Sequence, residues 1–338
     1  MDDITSNIEL KALRLHQEST VLDALTPYYT LDEPYTTGLL KGGVSAAFLS
    51  VVSPASWEDT LRRTETALRK IERSPVLTLA TTAADLRTAK QQNKIAMVLI
   101  TQGADMIEKD LQRVGIMFRL GFRVIGLCYT FSNQFGSGCG ELGDGGVTFL
   151  GRDLITTINE FPMMLDVSHA GHRTSFEAVQ LARSPVVTHA NAYTVTPMDR
   201  NKKDEVLSIV AQKKGVIGLN ALPRAIAATN PTLDLLLNHA DYITGKFGMR
   251  CMGLGLDYIE AHKQQGEALP QSQRNRTLRP DIFGTVDDYF TQDYPKDLET
   301  IEKLPNLTGA LLRRGYGEEN VRLILGENWV RAFESNVG

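Results

Sequence analysis

Short, continuously apolar and β-branched runs alternate with amphipathic stretches along most of the chain. The runs fall at 20–24, 44–52, 95–101, 122–127, 163–167, 185–188, 215–219 and 251–256. Hydrophobicity without period-two alternation is the pattern of parallel strands covered on both faces. Apolar residues recur at helical spacing over 57–72, 106–120, 152–160, 173–182, 203–212, 232–246, 297–314 and 318–334. Some helix starts are signposted: Ser56 stands three residues before Asp59, and Thr232 follows Pro231 ahead of a leucine-rich face. Strand–helix alternation sustained eight times predicts one closed (β/α)₈ TIM barrel over 1–338, a single domain, rather than an open doubly wound sheet. No Gly-x-Gly-x-x-Gly follows an early run, and Gly253-x-Gly255 comes in the last one with no helix directly behind it. The dinucleotide-binding alternative therefore lacks its fingerprint.

Two irregular segments interrupt the alternation. Residues 130–149, rich in Gly, Ser and Asn, follow the fourth run, and residues 259–296, polar and dotted with Pro and Gln, follow the eighth. Both lie at the C-terminal mouth of such a barrel, where its chemistry sits, and are expected to wall or cover a pocket. Phe131, Phe135, Tyr289 and Phe290 in these segments are candidates to line that pocket or a subunit interface.

Composition narrows the partners. The net charge of −4 is spread over mixed signs, with no basic stripe to follow a phosphate backbone, so nucleic acid is excluded as a partner. No stretch approaches the roughly 20 apolar residues of a membrane-spanning helix, and the first ten residues lack the basic and apolar regions of a signal peptide. Cys128, Cys139 and Cys251 are too few and too irregularly spaced for a disulfide framework or a zinc knuckle. They read as reduced thiols, which makes the cytoplasm the expected compartment.

Candidate chemistry sits where apolar runs end. His169 closes Met164-Leu165-Asp166-Val167-Ser168-His169, His189 closes Pro185-Val186-Val187-Thr188-His189, and Asp257 closes Met252-Gly253-Leu254-Gly255-Leu256-Asp257. The ends of barrel strands converge on one mouth, so two imidazoles and a carboxylate are expected to share a site. Such groups ligate metals and transfer protons. His16, His172, His239 and His262 fall on helices or loops and read as structural. Alternation of side-chain direction puts Cys128 on the face opposite Tyr129 and into the core.

These segments carry a resemblance. Asp166-Val167-Ser168-His169, Thr188-His189-Ala190-Asn191-Ala192, Arg200-Asn201, Gly215-Val216-Ile217-Gly218-Leu219-Asn220 and Gly255-Leu256-Asp257-Tyr258 resemble the corresponding motifs of the renal (membrane) dipeptidases. Gly42-Gly43-Val44-Ser45-Ala46-Ala47-Phe48 resembles that family's second strand, and 311–316 with 324–329 its closing helices. The resemblance runs from about 20 to 333. It implies an amidohydrolase-type barrel, a dimer, and hydrolysis of dipeptides by a hydroxide held between two zinc ions. It also implies that His169 and His189 match the histidines of the second metal, that Arg200 matches the arginine gripping the substrate carboxylate, and that Asp257 matches the aspartate that handles the proton.

The departures from the pattern are specific. Where the family reads Asp-Gly-His-x-Asp, with the His and second Asp on the first metal, this chain reads Asp23-Ala24-Leu25-Thr26-Pro27. The bridging glutamate is matched by Gln102, and a transition-state histidine by Tyr129. Leu25 and Pro27 offer no donor atom, and a neutral amide is a poor bridge between dications. The expected site is therefore catalytic His169, His189, Asp257 and Tyr129, with Arg200, Gln102 and Asn191 binding substrate. No resident metal is expected, or at most one zinc on His169 and His189. The expected activity is metal-independent acid–base chemistry on a small carboxylate-bearing, amino-acid- or peptide-like molecule, as in a biosynthetic pathway. A mononuclear zinc dipeptidase and a non-catalytic ligand-binding barrel are the alternatives.

Overall fold

The structure, a computed structural model, describes residues 2–259, 270–291 and 294–338, with only the backbone of 2–6, 270–272 and 289–291. The parallel strands are β1 (Leu22–Pro27), β2 (Ala46–Val52), β3 (Leu77–Leu79), β4 (Ile95–Thr101), β5 (Phe122–Gly126), β6 (Met164–Asp166), β7 (Pro185–Val186), β8 (Ile217–Leu219) and β9 (Met252–Leu254). They pair in the order β7-β6-β5-β4-β2-β1-β9-β8. A parallel bridge between Val187 and Ile217 closes the ring, with Gly218 N donating to Val187 O at 2.7 Å. Each of the eight apolar runs overlaps one strand of this ring.

The extra strand β3 pairs only with the first half of β4 (Leu77 with Ile95, Leu79 with Met97), and β5 pairs with the second half from Leu99 onward. Three residues are too short to stand out as an apolar run. Helices Asp2–Glu18, Tyr35–Lys41 and Ala83–Gln91 were also not expected from the pattern. The helix expected over 106–120 is two pieces, Asp105–Ile107 and Gln112–Arg119, because Glu108 turns the chain with a φ of 52°. Pro305 likewise starts a fresh helix, Pro305–Arg313, after the short turn Ile301–Lys303.

Two apolar layers hold the barrel. One lies between the ring and its outer helices. The other gathers Leu22, Phe48, Val98, Val124, Met164 and Val216 with Trp329 and Phe333 of helix Asn328–Asn336, so the C-terminal helix packs its aromatic rings against ring residues. Trp329 is fully buried, stacks edge-on to Phe48 at 5.2 Å, and donates its indole N–H to Leu254 O at 2.9 Å. Trp329→Phe is expected to cost about 1–3 kcal/mol by removing that donor and part of the packed volume. A lower urea midpoint at unchanged m-value is the readout.

Both long mouth segments are tied down. Asp144 accepts from Arg173 N, Thr174 N and Thr174 Oγ1, anchoring the segment after β5 to helix His172–Leu181. Arg279, in the segment after β9, pairs with Asp199 and Asp281 and donates to the carbonyls of Gly140 and Glu141, joining the two segments over the mouth. Phe135 is fully buried core and does not line the mouth cavity, whereas Phe131 lies under the Arg274 guanidinium at 4.8 Å. The side chains of Tyr289 and Phe290, and His262 altogether, lie outside the described residues. His16 bonds Thr308 and Gly42, and His239 bonds Ile226, as structural histidines do. No described helix is long and apolar enough to cross a membrane.

Candidate active site

Close backbone contacts bring the site together. A Cβ at Gly218 or Gly255 would lie 1.9 or 1.8 Å from Thr188 O, so only glycine lets the turn carrying His189 nest against β8 and the end of β9. Beyond those glycines the chain delivers Asn220 and Asp257. Asp257 itself sits at a left-handed φ of 58° and is hydrogen-bonded by the Asn220 side chain.

The polar network has a definite proton order. Asp166, buried at the end of β6, accepts from Ser168 N (3.1 Å), Ser168 Oγ (2.6 Å) and Thr188 N (2.9 Å) on one oxygen, and from Thr188 Oγ1 (2.8 Å) on the other. Thr188 thus spends its proton on Asp166 and can only accept from His189 Nδ1, 2.6 Å away. With Nδ1 protonated, neutral His189 has a bare Nε2, which accepts from His169 Nε2 at 3.1 Å. The same His169 N–H faces Gln102 Oε1 at 3.0 Å, and Gln102 is oriented by its own bond to Ser50 Oγ at 2.9 Å. The remaining His169 nitrogen faces Thr130 Oγ1 at 3.4 Å, and the Tyr129 ring lies over the imidazole with centroids 4.2 Å apart.

Three consecutive carbonyls fix His169 from behind. Arg200 Nη1 donates to Ser168 O, Cys139 N to His169 O at 2.7 Å, and Lys202 Nζ to Ala170 O. Arg200 and Lys202 are 3% and 0% exposed, and Arg200 Nη2 stands 3.3 Å from His169 Nε2. Burial, reinforced by these cations, pulls both imidazoles well below the ordinary histidine value and keeps them neutral. Burial also pulls Lys202 down to about 8. It pushes Asp257 up to about 6, against the opposing pull of Arg200 and Asn220.

A cavity of about 430 Å³ opens at the mouth, lined by Gln102, Tyr129, His169, Arg200 and Asp257 among others. Five of the seven sequence-predicted residues therefore meet on one surface. His189 lies behind His169, fully buried. Asn191 does not face the cavity: its amide accepts from Asn220 N at 2.9 Å and donates to the carbonyls of Asn220 and Ala225, bracing the wall. Cys128 points to the core, its thiol donating to Ser137 O and pushed well up by burial. Asp166, Thr188, Lys202, Asn220 and Arg224 were not singled out as site residues. Asp166, Thr188 and Asn220 stand inside the quoted motifs, so a polar residue within or directly after an apolar strand end was the available signal.

The profile of the membrane dipeptidase family (Peptidase family M19) matches residues 15–279 and 280–337. The chain belongs to this family. It is 27% identical over 271 residues to the "Uncharacterized protein in pqqA 5'region" of Klebsiella pneumoniae, covering 77% of this chain and 89% of that one. It is 25% identical over 293 residues to dipeptidase tcpJ of Claviceps purpurea, covering 85% of this chain but only 62% of that longer protein. Among solved structures, an amidohydrolase from Pseudomonas aeruginosa superimposes with a TM-score of 0.86 at 28% identity, covering 97% and 99% of the two chains. The probable dipeptidase PvdM from the same organism gives 0.80 at 16% identity over 98% of each chain, a likeness of fold. This membrane-dipeptidase barrel is thus a dipeptidase-like hydrolase in family and architecture.

Proposed function

We propose that this member of the dipeptidase family binds a small carboxylate-bearing, amino-acid- or peptide-like molecule through Arg200 and transforms it by acid–base chemistry without a pair of metal ions. One observation carries the reading. The Arg200 guanidinium is buried on the cavity wall, makes no ion pair among the described residues, and stands 3.3 Å from His169 Nε2. A buried cation without a carboxylate partner calls for an anion from the ligand, and a second cation beside it would be repelled.

The family's dinuclear zinc centre does not fit this donor set. Leu25 is packed in the inner apolar cluster at 1% exposure, Pro27 has no donor, and Gln102 is neutral. Among the described residues no three His, Cys, Asp or Glu side chains gather as a metal site. Proton transfer then falls to Asp257, whose carboxyl near 6 is matched to taking or giving a proton at neutral pH. His169, depressed far below neutrality, serves better as an oriented neutral hydrogen-bonding group than as the base. Tyr129 supplies a phenol across the imidazole. Such a set suits proton abstraction, elimination, isomerisation or hydrolysis of an activated bond. Attack on an ordinary amide needs the electrophilic help that metals give.

A second reading, one zinc on His169 and His189, is favoured by the convergence of their Nε2 atoms and Gln102 Oε1 within 3.1 Å. Metal analysis of protein purified without chelator separates the two. The first expects sub-stoichiometric metal and turnover indifferent to EDTA. Stoichiometric zinc, with chelator-sensitive turnover that zinc restores, would establish the second. A non-catalytic binder would show ligand binding and no product under either condition.

A further inference from the structure

We propose that Arg224 is a second anion-binding group, so that the pocket takes a small diacid, with one carboxylate on Arg200 and a second acidic group on Arg224. The inference rests on the proposed function, in which Arg200 holds the first carboxylate, and names the class of molecule that site accepts.

Arg224 lines the same cavity as Arg200. Its Nη2 donates to Asp281 O at 2.9 Å, while its Nε is buried with no hydrogen-bond partner among the described residues. A guanidinium left with an unmet donor is costly to hold, and an anion that reaches the group from the cavity offsets that cost. The acids around the cavity do not meet this need. Asp32 is held through both oxygens by Lys70, Asp288 accepts from Thr285 N, and the nearby charge that acts on Asp257 is Arg200. Neither Arg200 nor Arg224 makes an ion pair among the described residues: Arg200 has the longer-range pull of Asp257, and Arg224 faces the chamber without a counter-charge of its own.

The backbone carrying the pair is also braced. Arg224 stands on the short helix Pro223–Ile226, and the next residue's carbonyl, Ala225 O, accepts from Asn201 Nδ2 at 3.0 Å and Asn191 Nδ2 at 3.1 Å. Asn201 directly follows Arg200. Each arginine thus directly precedes one member of a hydrogen-bonded pair, Asn201 and Ala225, in one braced wall, and the surface carrying them is completed by Met198, Leu222 and Pro223. Two cationic groups on a wall with apolar side chains match two acidic groups joined by an aliphatic spacer. A dipeptide presents one carboxylate and an ammonium group, and an ammonium opposite Arg224 is repelled. Ordering of both arginines without ligand means little reorganisation is needed on binding.

Calorimetric titration with succinate, glutarate and adipate, each against the monoacid of equal carbon number (butyrate, pentanoate, hexanoate), tests the proposal. At least one diacid is expected to bind wild type about tenfold or more tighter than its monoacid, the scale of one charge-assisted contact. Arg224→Met is expected to bring that diacid down to the monoacid's affinity and leave the monoacid unchanged; Arg224→Lys keeps part of the preference. An undiminished diacid preference in Arg224→Met, no preference in wild type, or no binding of any probe would overturn it. Should Arg224→Met fail to fold, Arg224→Gln carries the same comparison. Arg200→Met separates this inference from its foundation. Monoacid binding that survives Arg200→Met removes the carboxylate role of Arg200, whereas loss of monoacid binding there with an unchanged diacid ratio in Arg224→Met removes only the second site.

Discussion

Asp257→Asn is expected to lose turnover and gain stability above pH 6. The carboxyl is pushed up to about 6 in the folded chain, from 3.8 for an unburied aspartate. Between those values the folded state keeps a proton that the unfolded state has released. The stabilisation this represents is complete below about pH 4 and is lost as pH rises through 6, a change of up to about 3 kcal/mol. Asparagine has no charge to bury and can still meet the Asn220 side chain. The variant should therefore melt like wild type near pH 4 and pull ahead of it above pH 6. A proton-transfer group removed from the reaction typically costs about 100- to 10,000-fold in rate, so turnover of the wild-type substrate falls by that factor with ligand affinity largely retained. Stability and activity moving in opposite directions is the mark of a group held in an unfavourable place for function. Turnover unaffected by the change would remove Asp257 from the chemistry, and melting curves with no pH-dependent gap would remove its raised pKa.

Legibility in the sequence followed the length scale of each feature. The ring strands were readable because a strand covered on both faces must be apolar throughout, and Phe122–Gly126 or Ile95–Thr101 can be little else. Leu77–Leu79 was not, since three residues carry no pattern of their own and β3 is defined by its partner β4. His169 and Asp257 were legible because a polar residue directly after an apolar run stands at a strand end. The tasks of the residues were not legible, because they depend on contacts between strands. Asn191 sits in a motif that points to substrate, yet its amide is spent on Asn220 and Ala225. Lys202 looks like an ordinary loop cation in sequence, and only folding buries it beside Ala170 O and Ser175 Oγ. His169 and His189 were expected among the catalytic residues, and only folding shows them buried beside two cations and held neutral. Arg224 needed the neighbouring wall before its unpartnered nitrogen had any meaning.

The deepest dependence in the site runs to Asp166, and its two replacements are expected to fail in different ways. Asp166→Ala strips the acceptor from two backbone N–H groups and two hydroxyls in a buried place. Hydroxyls can turn elsewhere, but amide hydrogens cannot, so the loss is about 3–5 kcal/mol, read by denaturant titration. Asp166→Asn keeps an oxygen for Ser168 and Thr188 N–H and presents an NH₂ to Thr188 Oγ1. That hydroxyl then accepts from the amide and turns its own proton to His189 Nδ1 at 2.6 Å in preference to Ser168 Oγ at 3.1 Å. Neutral His189 is thereby forced to carry its hydrogen on Nε2, against the hydrogen of His169 Nε2 only 3.1 Å away. The pair can accommodate this only if His169 shifts its proton to Nδ1, which releases its contact with Gln102 Oε1 and turns Nε2 into an acceptor for Arg200. The asparagine variant is therefore expected to fold with a stability within about 2 kcal/mol of wild type, yet to lose turnover by about 100-fold or more. Imidazole nitrogen shifts in its NMR spectrum should report both tautomers exchanged. Wild-type tautomers in that variant would break the chain of donors from Asp166 through Thr188 and His189 to His169, and with it the reason His169 keeps its orientation beside Arg200.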